Sequence, residues 1–175
     1  MVDDLKLIER FKQGDESAFN ELVLNHKDWV LNFVLQLSYN KEDAQDLAQE
    51  VFVKVYFNIR KFRGDAKFNT WLYKIVVNQM NSYFKKQKLL SWFQHDYEDQ
   101  IDHASDEPNS SKDRNRLIQS VKLLAKMQRN VVLLRVFQDM TFKEVSEVLS
   151  ISENSAKVSF YKAKQNLKGL INGYK

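Results

Sequence analysis

The stretch Thr141–Leu170, TFKEVSEVLSISENSAKVSFYKAKQNLKGL, decides the fold of the C-terminal part of the chain. Phe142, Val145, Val148 and Leu149 recur at helical spacing and predict a two-turn helix over Thr141–Leu149. Ser150-Ile151-Ser152 is a short turn with an apolar centre. Ser152 suits the N-cap of a second helix, and Glu153 places an acid in its positive first turn. In that helix Ala156, Phe160, Ala163, Leu167 and Leu170 form one apolar stripe. Lys157, Tyr161, Lys164 and Lys168 lie along another, with Val158, Lys162 and Gln165 beside it. Small residues, Ser146 and Ser150, stand where the helices cross and turn. Helix, turn and longer basic helix make a helix-turn-helix pattern, able to set its second helix in a major groove. A helical hairpin with a solvated lysine face fits the same spacing.

Charge bears on that choice. From Asp113 onward twelve Lys/Arg face five acids, and Glu153 is the only acid after Ile151. Lysines meeting phosphates would supply salt-dependent affinity. Base readout would fall to residues near the helix start, and the candidate set is Ser155, Lys157, Val158, Tyr161, Lys162 and Lys164. Between Leu89 and Lys112 the balance reverses: Asp96, Glu98, Asp99, Asp102, Asp106 and Glu107 oppose Lys112 alone. With Pro108, the one proline of the chain, residues 91–112 read as a flexible acidic linker.

Upstream of it, four glycines in 175 residues and abundant Leu, Val, Phe, Lys, Glu and Gln favour an all-α fold. A short helix over Asp3–Lys12 precedes one from about Asp15 to Tyr39, with Phe19, Leu22, Val23, Val30, Phe33, Val34 and Leu37 as its apolar positions. Asn40 interrupts. A second long helix begins at Glu42/Asp43 and carries a wide band of Leu47, Ala48, Val51, Phe52, Val55, Tyr56 and Ile59. Phe62–Asn69 is a loop turning at Gly64, and a third helix over Phe68–Lys88 buries Leu72, Ile75, Val76, Met80 and Tyr83. Shorter periods cover Arg114–Ala125 and Gln128–Gln138. The expected layout is two small helical domains, 1–90 and 113–175, joined by the linker 91–112.

Two N-terminal surfaces exceed what a core requires. Asp43, Asp46, Gln49, Glu50 and Val53 lie away from most of the apolar band, with Glu42 beside them. They form either a docking stripe for a basic helical partner or a solvated face. On the third helix Trp71, Lys74, Asn78, Asn81 and Lys85 share a side, and Phe62, Arg63, Lys67, Phe68 and Asn69 stand in or beside the preceding loop. Rings interleaved with cations and amides suit unstacked single-stranded bases. Trp71 is equally compatible with a core position.

Catalysis finds no constellation. Cysteine is absent, which excludes disulfides and thiolate metal sites, and His26, His95 and His103 are scattered. No glycine-rich phosphate loop occurs. Neither an enzyme nor a cofactor-binding protein is expected. The charged opening MVDDLKLIERFKQGDE does not read as a secretory signal, and no apolar run nears the roughly 20 residues of a membrane span. A cytoplasmic location is expected.

DAQDLAQEVFVKVY (Asp43–Tyr56), FRGDAKFNTWLYKIVVN (Phe62–Asn78) and QRNVVLLRVFQDMTFKEVSEVLSISENSAKVSFYKAK (Gln128–Lys164), in this order around an acidic linker, resemble the extracytoplasmic-function sigma factors of the sigma-70 family. The resemblance implies a sigma region 2 in the N-terminal domain and a region 4 in the C-terminal one. It implies an Asp43–Tyr56 helix that binds the beta-prime clamp helices of core RNA polymerase, with the beta flap a further contact. It implies that the Phe62–Asn69 loop and the helix after it melt the minus-ten element of promoter DNA and capture a flipped base. The start of the last helix would meet the minus-thirty-five element, and the linker would thread the RNA channel as tether or nucleic-acid mimic. An anti-sigma factor is the expected regulator. Several positions depart from the usual pattern: Ala125 for proline, Ser150 for glycine, Ser82 and Lys85 for aspartate and arginine, Ala156 for valine and Ser159 for arginine. A stand-alone helix-turn-helix regulator with an N-terminal sensing or dimerisation domain is the alternative.

Overall fold

A computed structural model describes residues 3–38, 40–94 and 109–173, with side chains for 3–38, 40–90 and 116–171. Among these residues there are eight α-helices and no strand. They are α1 (Asp4–Lys12), α2 (Glu16–Leu35), α3 (Lys41–Asn58), α4 (Phe68–Gln94), α5 (Asn109–Leu123), α6 (Lys126–Val136), α7 (Phe142–Leu149) and α8 (Glu153–Gly173), with a 3-10 turn over Ile59–Lys61 after α3. The acidic positions 96–107, Pro108, His95 and His103 lie outside the described residues. Helix nevertheless reaches into both ends of the expected linker, through 94 and from 109.

Caps explain most helix starts. The Asp3 carboxylate accepts from the Leu5 amide, Asp15 from Ser17 and Asn40 from Asp43, each satisfying an amide that the first turn leaves without a partner. Thr141 and Glu144 form a reciprocal pair before α7. The Thr141 hydroxyl accepts from the Glu144 amide at 3.2 Å, and the Glu144 carboxylate accepts from the Thr141 amide at 2.8 Å. Ser152 caps α8 as expected, accepting from Ser155 N–H at 3.1 Å.

The contacts divide the chain into residues 1–80 with 147–150 and residues 81–146 with 151–175, a division that falls within α4. In the first unit α2 packs on α1 and α3. Leu7, Ile8, Phe11, Leu22, Val30, Phe33, Val34, Val51, Val55, Ile59, Leu72 and Val76 are all buried, and removal of this apolar area from water drives the assembly. In the second unit α8 packs against α5 and α6. Ala156 and Ala163 are buried, as are Ile118, Val121 and Val131–Leu134. Alanine on α8 allows the close approach that a larger residue would prevent.

Candidate nucleic-acid interfaces

Helix α8 keeps its basic side in solvent. Ser155, Lys157, Val158, Tyr161, Lys162 and Lys164 are all exposed, and Tyr161 shows 65% of its surface. The buried alanines hold the opposite side, so the periodicity assigned both faces to their observed environments. Lys157 pairs with Glu153 one turn earlier at 2.7 Å, both side chains about half exposed. Its ammonium can leave that carboxylate for a phosphate at small cost, because exposed pairs contribute little. The turn that orients α8 is strained. Ser150 has φ +56°, and Ile151 N–H closes α7 on the Ser146 carbonyl at 3.1 Å. A left-handed residue is why glycine would suit this position better than serine.

The second basic region lies at the start of α4. Arg63, Lys67 and Asn69 are exposed, Trp71 and Lys74 half-exposed, and Asn78 and Lys85 exposed further along. Gly64, at φ +82°, turns the loop as expected. Lys61, Arg63, Trp71 and Lys74 are among the residues around an open hollow of roughly 210 Å³. Trp71 lies against Phe62 and Phe68 with ring centroids 5.4 and 5.7 Å away. This places Phe62 and Phe68 differently from the expectation that they face nucleic acid. They are 6% and 4% exposed and close on each other at 5.9 Å, so they form the floor behind Trp71. Asn81 also departs from its expected role. Its carbonyl accepts from Arg129 at 2.8 and 3.1 Å, and its amide nitrogen donates to Asn130 at 2.8 Å. Lys74 donates to the Ser150 hydroxyl at 2.9 Å. A single sequence shows such a cluster of polar residue types but not which of them are taken up by distant partners.

On α3, Asp46, Gln49, Glu50 and Val53 are exposed, while Asp43 is half-buried in the first turn, its amide capped by Asn40 at 2.7 Å. The buried Gln79 of α4 accepts from the Lys54 ammonium and donates to the Glu50 carboxylate, so Glu50 is oriented from behind. Next to this stripe opens an apolar groove of about 970 Å³ between α2 and α3, lined by Phe19, Val23, Leu31, Phe52, Val53 and Phe57 among others. Phe57 is 71% exposed, a position the sequence reading passed over. Its signal was the excess of apolar residues on α3: with Phe52, Val53, Tyr56 and Phe57 added to the buried five, the helix carries more than one face can bury. The capping pair at Thr141 and Glu144 was equally legible from its three-residue spacing.

Among the described residues no group of His, Asp or Glu could hold a metal ion, and no helix is long and apolar enough to cross a membrane.

Comparison with known proteins gives this arrangement its relatives. Residues 22–89 match the family described as Sigma-70 region 2, and residues 114–167 match Sigma-70, region 4. The RNA polymerase sigma-H factor of Pseudomonas aeruginosa is 26% identical over 93% of this chain and 90% of its own length. The ECF RNA polymerase sigma factor SigW of Bacillus subtilis is 27% identical over 93% and 94%. A shorter stretch, 49% of this chain and 44% of the relative, is 40% identical to the ECF RNA polymerase sigma-E factor of Escherichia coli K12. Two solved structures share the fold. CnrH, in complex with the cytosolic domain of CnrY, matches with a TM-score of 0.67 at 20% identity, over 98% of this chain and 99% of that one. RpoE, in complex with the anti-sigma factor NepR from Bartonella quintana, matches with a TM-score of 0.59 at 18% identity, over 88% and 96%. With both of its characteristic regions present in order, and relatives matched along nearly their whole length, the chain belongs to the extracytoplasmic-function sigma factors of the sigma-70 family.

Proposed function

We propose that this chain associates with core RNA polymerase and gives it promoter specificity through three surfaces. The acidic and amide stripe of α3, Asp43, Asp46, Gln49, Glu50 and Val53, docks on the beta-prime clamp helices. The hollow lined by Arg63, Trp71 and Lys74 over Phe62, with Lys67, Phe68 and Asn69 beside it and Asn78 and Lys85 further along α4, receives an unpaired base of the minus-ten element. Helix α8 reads the upstream duplex through Ser155, Lys157, Val158, Tyr161 and Lys162, and Lys164 meets a phosphate. Region 2 occupies residues 1–90, region 4 residues 113–175, and the acidic segment 91–112 tethers them. The polymerase performs the chemistry; this chain has no catalytic activity and needs no cofactor. It works in the cytoplasm, with region 4 also engaging the beta flap, and an anti-sigma factor restrains it.

The observation that carries this reading is one chain presenting two basic surfaces of different character. One is a lysine-bearing helix face suited to paired DNA, the other a ring-lined hollow among cations suited to a flipped base. A stand-alone regulator would account for the first surface only, and the region 2 match disfavours it. Run-off transcription with purified core polymerase is the test. The chain should direct initiation from its cognate promoter, and Lys157→Glu should weaken this promoter-specific transcription while leaving polymerase association intact. High-affinity binding of the isolated chain to duplex DNA as a dimer, with no dependence on core polymerase, would establish the regulator reading instead.

A further inference from the structure

The loop between the 3-10 turn and α4 is held from α1 at its entrance and from α2, through a histidine that is itself paired with α1, at its exit. At the entrance, the ammonium of Lys12, the last residue of α1, donates to the Phe62 carbonyl at 2.7 Å. The Phe62 amide is meanwhile tied to the Ile59 carbonyl at 3.0 Å, and Arg60 stacks over the Phe11 ring of α1 at 5.1 Å. At the exit, His26 meets the Phe68 ring edge-on at 5.2 Å, and its Nε2 pairs with the Asp4 carboxylate of α1 at 3.0 Å. Between these anchors, Arg63 to Lys67 are exposed and pass through the left-handed Gly64.

We propose that Lys12 is a positioning residue for this loop. The carbonyl it holds belongs to the peptide immediately before Arg63. Fixing that peptide plane sets the direction in which Arg63 leaves the fold and the edge of the hollow that Trp71 lines. A charged donor makes a stronger bond to a carbonyl than a neutral one, and this bond is part-buried, which limits competition from water. Lys12 lies 50 residues from Phe62 and outside the segment matched to region 2, so the first helix becomes part of the strand-capturing apparatus without touching DNA. The inference rests on the reading of the Arg63–Trp71 hollow as the seat of an unpaired base.

The test uses the full chain assembled with core polymerase. Lys12→Met keeps the apolar stem but loses the donor; Lys12→Arg keeps a charged donor; Arg63→Ala reports on the hollow itself. Affinity is measured for a fork-junction fragment carrying unpaired minus-ten bases and, separately, for core polymerase, together with the thermal midpoint of each free variant. Lys12→Met should weaken fork binding about five- to tenfold with core affinity unchanged and the thermal midpoint lowered only as far as the loss of one hydrogen bond entails, and Lys12→Arg should recover most of both losses. If Arg63→Ala weakens fork binding and Lys12→Met does not, the positioning role is overturned and the hollow survives. Loss in Lys12→Met that comes with a lowered thermal midpoint and no recovery in Lys12→Arg overturns it as well, in favour of a purely structural lysine. If Arg63→Ala binds the fork like the wild type, the reading of the hollow fails and the role of Lys12 falls with it.

Discussion

The ion pair at the start of α8 gives a prediction in which affinity and stability move in opposite directions. Lys157 lies 2.7 Å from Glu153, and both are about half exposed, so the pair is worth only the few tenths of a kcal/mol usual for exposed i,i+4 partners. Removing Lys157 removes one cation from the side proposed to face DNA. Each lost phosphate contact lowers the log–log salt slope by about 0.9, so a fourfold rise in salt should cost Lys157→Ala roughly 3.5-fold less affinity than it costs the wild type. Glu153→Gln does the reverse. It frees Lys157 and removes a negative charge from the DNA side, so binding should tighten about twofold, from roughly 0.4 kcal/mol no longer spent opening the pair. It also removes an acid from the positive end of α8, which should lower stability by about 0.3–1 kcal/mol. The assay is anisotropy of a labelled promoter fragment with assembled polymerase across a salt series, alongside urea unfolding of the free chain. An unchanged slope in Lys157→Ala, or weaker binding in Glu153→Gln, would refute the placement of this face against DNA.

Ser150→Gly should raise stability by about 0.5–1 kcal/mol in urea unfolding. It relieves roughly 1–2 kcal/mol of left-handed strain at φ +56° and gives back part of that as unfolded-chain entropy; a loss of stability would contradict this. Asp15 is held below its ordinary value of 3.8, first by the Ser17 hydroxyl and then by Arg10. A depressed carboxylate stabilises the fold above its unfolded-state value and ceases to as pH falls through the folded one. Asp15→Asn, which keeps the capping oxygen, should therefore flatten the acid limb of a plot of thermal midpoint against pH, and an unaltered limb would count against the pairing. Arg129, whose guanidinium burial pulls below its usual value, donates to the Lys122 carbonyl at 3.0 Å and to Asn81 and lies over the Phe84 ring at 5.3 Å. Arg129→Lys cannot span those acceptors and should cost about 1–3 kcal/mol by urea unfolding; a change within roughly 0.5 kcal/mol would refute the network.

What could be read ahead of the structure follows from the range over which each interaction acts. The faces of α8 were legible because a helix repeats every 3.6 residues and its environment changes across that repeat, so Ala156 and Ala163 could be separated from Lys157 and Lys164 by counting. The cap at Ser152 and the turn at Gly64 were legible for the same reason, each being settled within a few residues. Asn81 fails this condition. Its partner Arg129 is 48 positions away, and nothing near Asn81 distinguishes an amide bound to a guanidinium from one awaiting a base. Lys12, bonded 50 positions away, was invisible in the same manner. Phe52, Tyr56 and Phe57 show a third limit, since hydrophobicity states a preference for burial and not the identity of what does the burying. Helix α2 packs on α3, and the buried residues of α3 are Ala44, Leu47, Ala48, Val51 and Val55. Val53 and Phe57 stay exposed beside Asp46 and Gln49, where a single surface combines apolar depth with negative charge. A helix that is apolar beyond what its own domain can cover, and acidic at the margin of that excess, is built to be completed by another molecule, which fits the assignment of this face to the polymerase.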